Sequence, residues 1–175
     1  MHHWLSLSVH LPSGRSTRIR DAIVIDAARC QRRVIGMLEQ FYSRSEHWPR
    51  LSTKLAHVSD LIAETDRLHK IAELSTRVLL DALGWTGAVV RSSDLDARTD
   101  RSARLADLTR AVGADTYICG RGGARYLNPS EFDRLGLAVD YFGQPTWIDP
   151  AIWEAGQRVS AAWALAKCGT LTSNR

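Results

Sequence analysis

The sequence predicts an α/β fold: a largely parallel sheet flanked by helices, preceded by a β-hairpin and a helical segment. Three patterns predict it. Two apolar segments near the start flank Pro12-Ser13-Gly14. Apolar residues at helical spacing then run through most of residues 27–83. Beyond residue 88, short apolar runs alternate with helical ones, which is the rhythm of βαβ units.

The elements follow in order. From Trp4 to Val9 the chain alternates, with Leu5, Leu7 and Val9 on one side and Ser6, Ser8 and His10 on the other. A period of two marks a half-buried strand. After the Pro-Ser-Gly turn, Ile19 to Ile25 reads as its hairpin partner. Asp26 is placed to cap a helix that carries Cys30, Val34, Met37, Leu38 and Phe41 on one face. Gly36 inside that helix costs about 1 kcal/mol relative to Ala, so packing must hold it. His47-Trp48-Pro49 ends it. Leu51 to Leu83 carries a further stripe through Leu55, Val58, Ile62, Leu68, Ile71, Leu74 and Val78. Thr65-Asp66 divides this stretch into two helices, and Gly84 suits the left-handed position that closes the second.

Ala88-Val89-Val90 is expected to be a short buried strand, Ser102 to Val112 a helix with Leu105, Leu108 and Val112 inward, and Thr116 to Cys119 a strand. Asn128-Pro129 opens a helix to Leu135, because asparagine caps and proline fits the first turn. Leu137 to Phe142 is the next strand. Asp149-Pro150 repeats the cap-and-proline signal for a last helix through Ile152, Trp153, Val159, Trp163 and Ala166 to Gly169. Residues 1–170 read as one domain and 171–175 as a disordered tail.

Composition narrows the function classes. No apolar run approaches the roughly 18 residues of a membrane span, and Met1-His2-His3 leads into no signal-like apolar stretch. The cytoplasm is therefore the expected location, with no membrane partner. Cys30, Cys119 and Cys168 form no C-x-x-C pair and read as reduced, mostly buried small hydrophobes. His2, His3, His10, His47, His57 and His69 lack metal-ligand spacing, so no metal and no other cofactor is expected. The net charge of +4 is uneven. Residues 1–50 hold eight arginines and four carboxylates, whereas the rest holds fifteen residues of each sign. This basic face either meets phosphates or is simply solvated.

Open parallel sheets bind ligands beyond the carboxyl ends of their strands. Three such ends are legible: Arg91-Ser92-Ser93-Asp94 after Val90, Gly120-Arg121-Gly122-Gly123-Ala124-Arg125-Tyr126 after Cys119, and Gly143-Gln144 after Phe142. Guanidinium forks and bare backbone amides suit phosphate or carboxylate. The glycine run is neither a G-x-G-x-x-G nor a P-loop pattern, and no helix is expected to start directly on it. Structural alternatives stay open: a tight loop needing positive φ for the glycines, an ion pair with Asp94 for Arg91, a packed ring for Tyr126, and a buried thiol for Cys119. Trp147 alone among the tryptophans looks placed to line a pocket.

Arg91-Ser92-Ser93-Asp94-Leu95, Arg104-Leu105, Gly113-Ala114-Asp115-Thr116-Tyr117-Ile118-Cys119-Gly120, Gly123, Tyr126-Leu127 and Phe132 together resemble the WbqC-like family. That family shows R-S-S-E-L, then L-G-A-D, then T-Y-L-S-G-x-x-G-x-x-Y-L. Trp4 to Val9 and Ile23 to Asp26 are similar to its opening hairpin, and Ser160 to Gly169 to its closing helix. The resemblance implies a bacterial protein associated with O-antigen and surface-polysaccharide synthesis, with a transfer of glycine or a similar group suggested for that setting. The family's Q-P-x-Y-x-P-W strand and the acidic strand after it have no counterpart here, which implies a domain lacking those strands. The family's lysine before the next helix corresponds to Asp100 or Arg101, and Arg121 replaces a proline or small residue.

These observations lead to a transferase that binds a phosphate-bearing small molecule, such as a nucleotide sugar or an activated amino acid. Arg91 and Arg125 would hold the anion, and Gly120, Gly122 and Gly123 would present backbone amides. Ser92, Ser93 and Tyr126 would orient the acceptor. Ser93 and Asp94 are the catalytic candidates, Asp94 being the one carboxylate well placed at a strand end. The rival readings are a non-catalytic binding or accessory domain, including a reduced, inactive paralogue, and a nucleic-acid partner for the basic hairpin. The last is weakened because no aromatic residue lies between Arg15 and Arg33. Apolar surface left by the absent strands would favour a homodimer.

Overall fold

The structure, a computed structural model, describes residues 3–143 and 160–169. These fall into two compact units, one of residues 3–87 with 160–169 and one of residues 88–143. Each is built on its own logic.

The first unit opens with an antiparallel hairpin. β1 (Val9–His10) pairs with β2 (Ile23–Val24) in the register Val9↔Val24 and His10↔Ile23. The ladder is shorter than the alternation suggests. The Ile25 amide donates to the Ser8 carbonyl (2.9 Å), and at Asp26 the partner strand turns into a helix. Nothing then remains to pair with residues 4–7. Leu7 still packs on the core, whereas Trp4 is 89% exposed. In the second strand, Ile19–Asp21 is a 3-10 turn rather than extended chain. Ala22 and Val24 face inward, and the Val24 amide reaches the Asp66 carbonyl.

Three helices follow: α1 (Ala27–Tyr42), α2 (Trp48–Glu64) and α3 (Leu68–Ala82). Asp26 caps α1 as expected, its carboxylate accepting the Arg29 amide at 3.0 Å. Pro49 lies in the first turn of α2, and the chain breaks between α2 and α3 at Thr65–Arg67. Gly84 takes φ +80° just past α3. Cys30, Val34 and Leu38 of α1 meet Leu51, Leu55, Val58 and Ile62 of α2. Each such buried aliphatic side chain contributes about 1.5–3 kcal/mol. α6 (Ala161–Cys168) adds Ala162, Leu165 and Ala166 to the same core. Phe41 departs from the expected face. It is 45% exposed, its ring 4.9 Å from that of His3. Cys168, expected with the buried thiols, is exposed.

The second unit contains α4 (Arg101–Ala111), β3 (Thr116–Cys119), α5 (Ser130–Asp133) and β4 (Ala138–Tyr141). The strands pair in parallel, from Thr116↔Ala138 to Cys119↔Tyr141. The expected strand at Ala88–Val90 is not formed. Among the described residues these three join no ladder, and Val90 is 58% exposed.

α4 also rotates from its expected face. Val112 is 50% exposed, while Ser102, Ala103, Ala106 and Thr109 are buried. Short side chains there let the helix lie close to β3. The hydroxyls are satisfied locally, with Thr109 Oγ1 donating to the Leu105 carbonyl (2.8 Å) and Ser102 Oγ accepting the Asn128 amide (3.0 Å). Asn128 Oδ1 in turn accepts from Ser130, opening an α5 that is four residues long rather than running to Leu135. Phe132, fully buried, closes the small core with Ala106, Cys119, Leu127 and Leu137. The Asp149-Pro150 start signal, Gln144, Trp147, most of the segment before α6 and the expected tail lie outside the described residues.

Candidate functional site

β3 and β4 are parallel and in register, so their carboxyl ends share one edge. The Phe142 amide donates to the Cys119 carbonyl (2.8 Å), which sets Phe142-Gly143 beside the start of the glycine turn. That turn is a 3-10 segment, Arg121–Arg125, starting directly on Gly120, where no helix was expected. The Gly123 amide folds back onto the Gly120 carbonyl (2.8 Å), and the Tyr126 amide onto the Gly123 carbonyl (3.0 Å).

The three glycines are present for different reasons. Positive φ is not one of them, because Gly120 sits at φ −65° and neither Gly122 nor Gly123 is among the left-handed residues. At Gly123 a Cβ would overlap the Cys119 sulfur, so the turn closes over that side chain only with glycine. A Cβ at Gly120 or Gly122 would meet nothing within 4 Å. The fold itself does not require these two to be glycine, and both are exposed. Cys119 lies beneath, 2% exposed, its thiol donating to the Gly120 carbonyl (3.4 Å). It is a packed thiol rather than a surface nucleophile.

The second predicted turn, Ser92–Asp94, is also a 3-10 turn. Arg91 Nη1 lies 3.9 Å from Asp94 Oδ2, their side chains 59% and 63% exposed. Ser93 Oγ donates to Asp94 Oδ1 (3.2 Å). Ser92 engages through its backbone, its carbonyl accepting from Arg104 Nη2 at 3.3 Å.

Two arginines that the sequence reading left out of the site connect these turns. Arg101 and Arg104 stand three residues apart on α4, hence on one face. Arg104 reaches the Ser92 carbonyl, while the Arg101 guanidinium stacks 4.7 Å above the Tyr126 ring. Such a cation–π contact contributes about 0.5–1 kcal/mol at an exposed position, and Tyr126 is 50% exposed. The Tyr126 ring is therefore a surface platform and not a core residue. The i,i+3 spacing directly after the Asp100 cap was the signal that could have revealed the pair. Asp100 itself accepts the Ser102 and Ala103 amides, both at 3.1 Å. Arg125 is exposed at the end of the glycine turn.

Behind the site, Arg98 fastens the loop between the first turn and α4. Its Nε and Nη2 donate to both Asp107 oxygens at 2.8 Å, its backbone amide to Asp107 Oδ2 at 2.9 Å, and its Nη1 to Glu131 Oε2 at 3.0 Å. Arg134 Nη1 holds the other Glu131 oxygen at 2.7 Å. Bidentate pairing of this kind is the strong form of a carboxylate–guanidinium contact. The Arg98 hydrogen bonds pull the Asp107 carboxyl down to about 2 and push the Arg98 guanidinium further up. Burial first, then the neighbouring Cys119 and Tyr126 groups, raises the Tyr117 hydroxyl above the usual phenol range.

The two turns and the start of α4 thus carry the guanidiniums of Arg91, Arg101, Arg104 and Arg125 and the carboxylates of Asp94 and Asp100. Chemically these groups can hold an anion and stack a planar group. Among the described residues no cluster of three or more His, Cys, Asp or Glu side chains could hold a metal ion, and no helix is long and apolar enough to cross a membrane. No curated protein and no solved structure matches the chain. A family model, that of the WbqC-like protein family, matches residues 1–148, and it spans both the hairpin and the two turns described above. On that match the chain belongs to the WbqC-like protein family.

Proposed function

We propose that residues 88–143 bind a phosphate-bearing small molecule, a nucleotide sugar or an activated amino acid, in a group transfer. The observation that carries this reading is the α4 bridge. Arg104 on Ser92 and Arg101 over Tyr126 link the Arg91–Asp94 turn and the glycine-bearing turn through one helix face. Gly120 and Gly122, glycines that the backbone geometry does not demand, add support, since a missing side chain there admits close approach of a ligand. In this reading Arg91 and Arg125 hold the phosphate and Tyr126 stacks a planar group. Ser92 orients the acceptor, and Ser93 and Asp94 handle its proton.

Binding without turnover is the second reading. The exposure of Arg91 and Asp94 favours it, because water is not excluded from the one carboxylate that could act as a base.

A thermal-shift series with nucleotide sugars and aminoacyl adenylate analogues tests the site. Stabilisation by at least one of them should be lost in Arg91→Ala and weakened in Arg104→Ala. If the variants keep the full shift, the pocket assignment is wrong. Release of product from a stabilising donor separates turnover from binding.

A further inference from the structure

The hairpin unit contains a hollow of about 280 Å³ that lies outside the site just described. Ser6 and Ser8 line one wall, at alternate positions of the segment leading into β1 and hence on the same side of it. Arg29 and Arg33 line the other, one turn apart on α1. The walls are brought together by the Ile25 amide on the Ser8 carbonyl (2.9 Å) and by the Asp26 cap of α1. Asp26 is the one non-glycine among the described residues with a left-handed backbone, at φ +53°. Asp26, its carboxylate on the Arg29 amide, is itself part of the lining.

The chemistry of this lining is specific. Two arginines and two serines line it together with Ile25, Asp26 and Cys30, and among the described residues neither guanidinium has a carboxylate within ion-pairing distance. Two positive groups outweigh the single Asp26 charge. The surrounding fifty residues carry the whole positive excess of the chain, which would draw anions toward this end. Size selects among them. Pockets for drug-sized ligands run to about 300–1,000 Å³, so a hollow just below that range takes a compact anion rather than a complete nucleotide sugar.

We propose that the junction of the hairpin and α1 is a second anion site, in which Arg29, Arg33, Ser6 and Ser8 hold the phosphoryl oxygens of a pyrophosphate or a small phosphomonoester. It rests on residues of the hairpin unit alone and stands or falls separately from the reading of residues 88–143.

The test is a titration of the full chain with pyrophosphate, and in parallel with glycerol 3-phosphate, followed through the backbone amide resonances. Saturable shifts are expected at Ser6, Ser8, Arg29 and Cys30. Arg29→Ala with Arg33→Ala should weaken binding at least tenfold, since each charge-assisted hydrogen bond contributes on that scale. Asp26→Asn should tighten it about threefold, because asparagine still caps the helix and tolerates the left-handed backbone but removes the repelling charge. Arg91→Ala should leave these shifts unchanged. Arg33→Gln, which keeps the helix former, gives the same reading if the double variant does not fold. No saturable shift at these amides, shifts that persist in the arginine variants, or binding seen with an RNA duplex but with neither phosphate probe would each overturn the proposal.

Discussion

The two units of this chain solve the same problem with different means. Among the described residues, the hairpin-and-helix unit buries thirteen in one cluster, mostly Val, Leu and Ile from long amphipathic helices. The described residues of the parallel-strand unit bury five in theirs, around Phe132 and Cys119. A core that small supplies little hydrophobic stabilisation, and polar contacts make up part of the difference. Arg98 ties a loop, α4 and α5 together through Asp107 and Glu131. The first unit's polar ties include Lys54 with Asp81 and Gln31 Nε2 donating to Ser59 Oγ at 3.1 Å. Where side chains are short and strands few, position is held by directional bonds rather than by bulk. The candidate rim stands on the unit held in that way.

Four experiments would break or sharpen this contrast. The largest effect is expected from Phe132→Ala, which empties the centre of the small core and should cost about 3–5 kcal/mol. Hydrogen exchange should quicken at β3 and β4 while α1–α3 keep their protection. Equal loss in both units would break the comparison.

Gly123→Ala comes next, at about 1–3 kcal/mol, because the new methyl group meets the Cys119 sulfur. Urea unfolding should show most of that loss restored when Cys119→Ala is added. Absence of rescue would mean that the turn is constrained by something other than that contact.

Acid should separate the two units further. The Asp107 carboxyl is held at about 2 in the folded chain, against about 3.9 when unfolded. Between those values the unfolded state binds more protons, so the Arg98–Asp107 contribution is present above about pH 4 and is lost as pH falls toward 2. Asp81, lowered first by its hydrogen bond to Lys54 and further by the charges of Lys54 and Arg50, shifts the first unit in the same direction from an exposed position. Thermal midpoints between pH 2 and 6 should therefore fall more steeply for residues 88–143, and Asp107→Asn should flatten that fall. An unchanged slope in the variant would remove the ion pair from the account.

The smallest effect on stability belongs to Gly122→Ala, within about 0.5 kcal/mol, since a Cβ there meets nothing. In a ligand thermal-shift assay the same variant should lose part of the stabilisation that a phosphate-bearing ligand provides. A full ligand response would argue that Gly122 is not approached.

Much of the architecture was legible because it depends on local chemistry. Asp26 as a cap, the break near Thr65, the left-handed Gly84 and the strand at Thr116–Cys119 all follow from propensities that act within a few residues. The misplaced elements needed partners. Ala88-Val89-Val90 has the composition of a strand but joins no ladder among the described residues, and α4 turned inward its alanines and hydroxyls rather than Leu108 and Val112. The two turns of the candidate rim were visible as polar runs following apolar ones. Arg101 and Arg104, which join them, were not singled out, because their partners Tyr126 and the Ser92 carbonyl lie 25 and 12 residues away.

By itself the sequence determined the family, the cap of α1, the break between α2 and α3 and the residue types at the sheet edge, because caps, turns and period are written in neighbouring residues. Tertiary structure alone decided which face of α4 is buried, why Gly123 must be glycine while Gly122 need not be, and how Arg98 fastens the small core. Those outcomes depend on distances between residues far apart in the chain, and no local pattern encodes them.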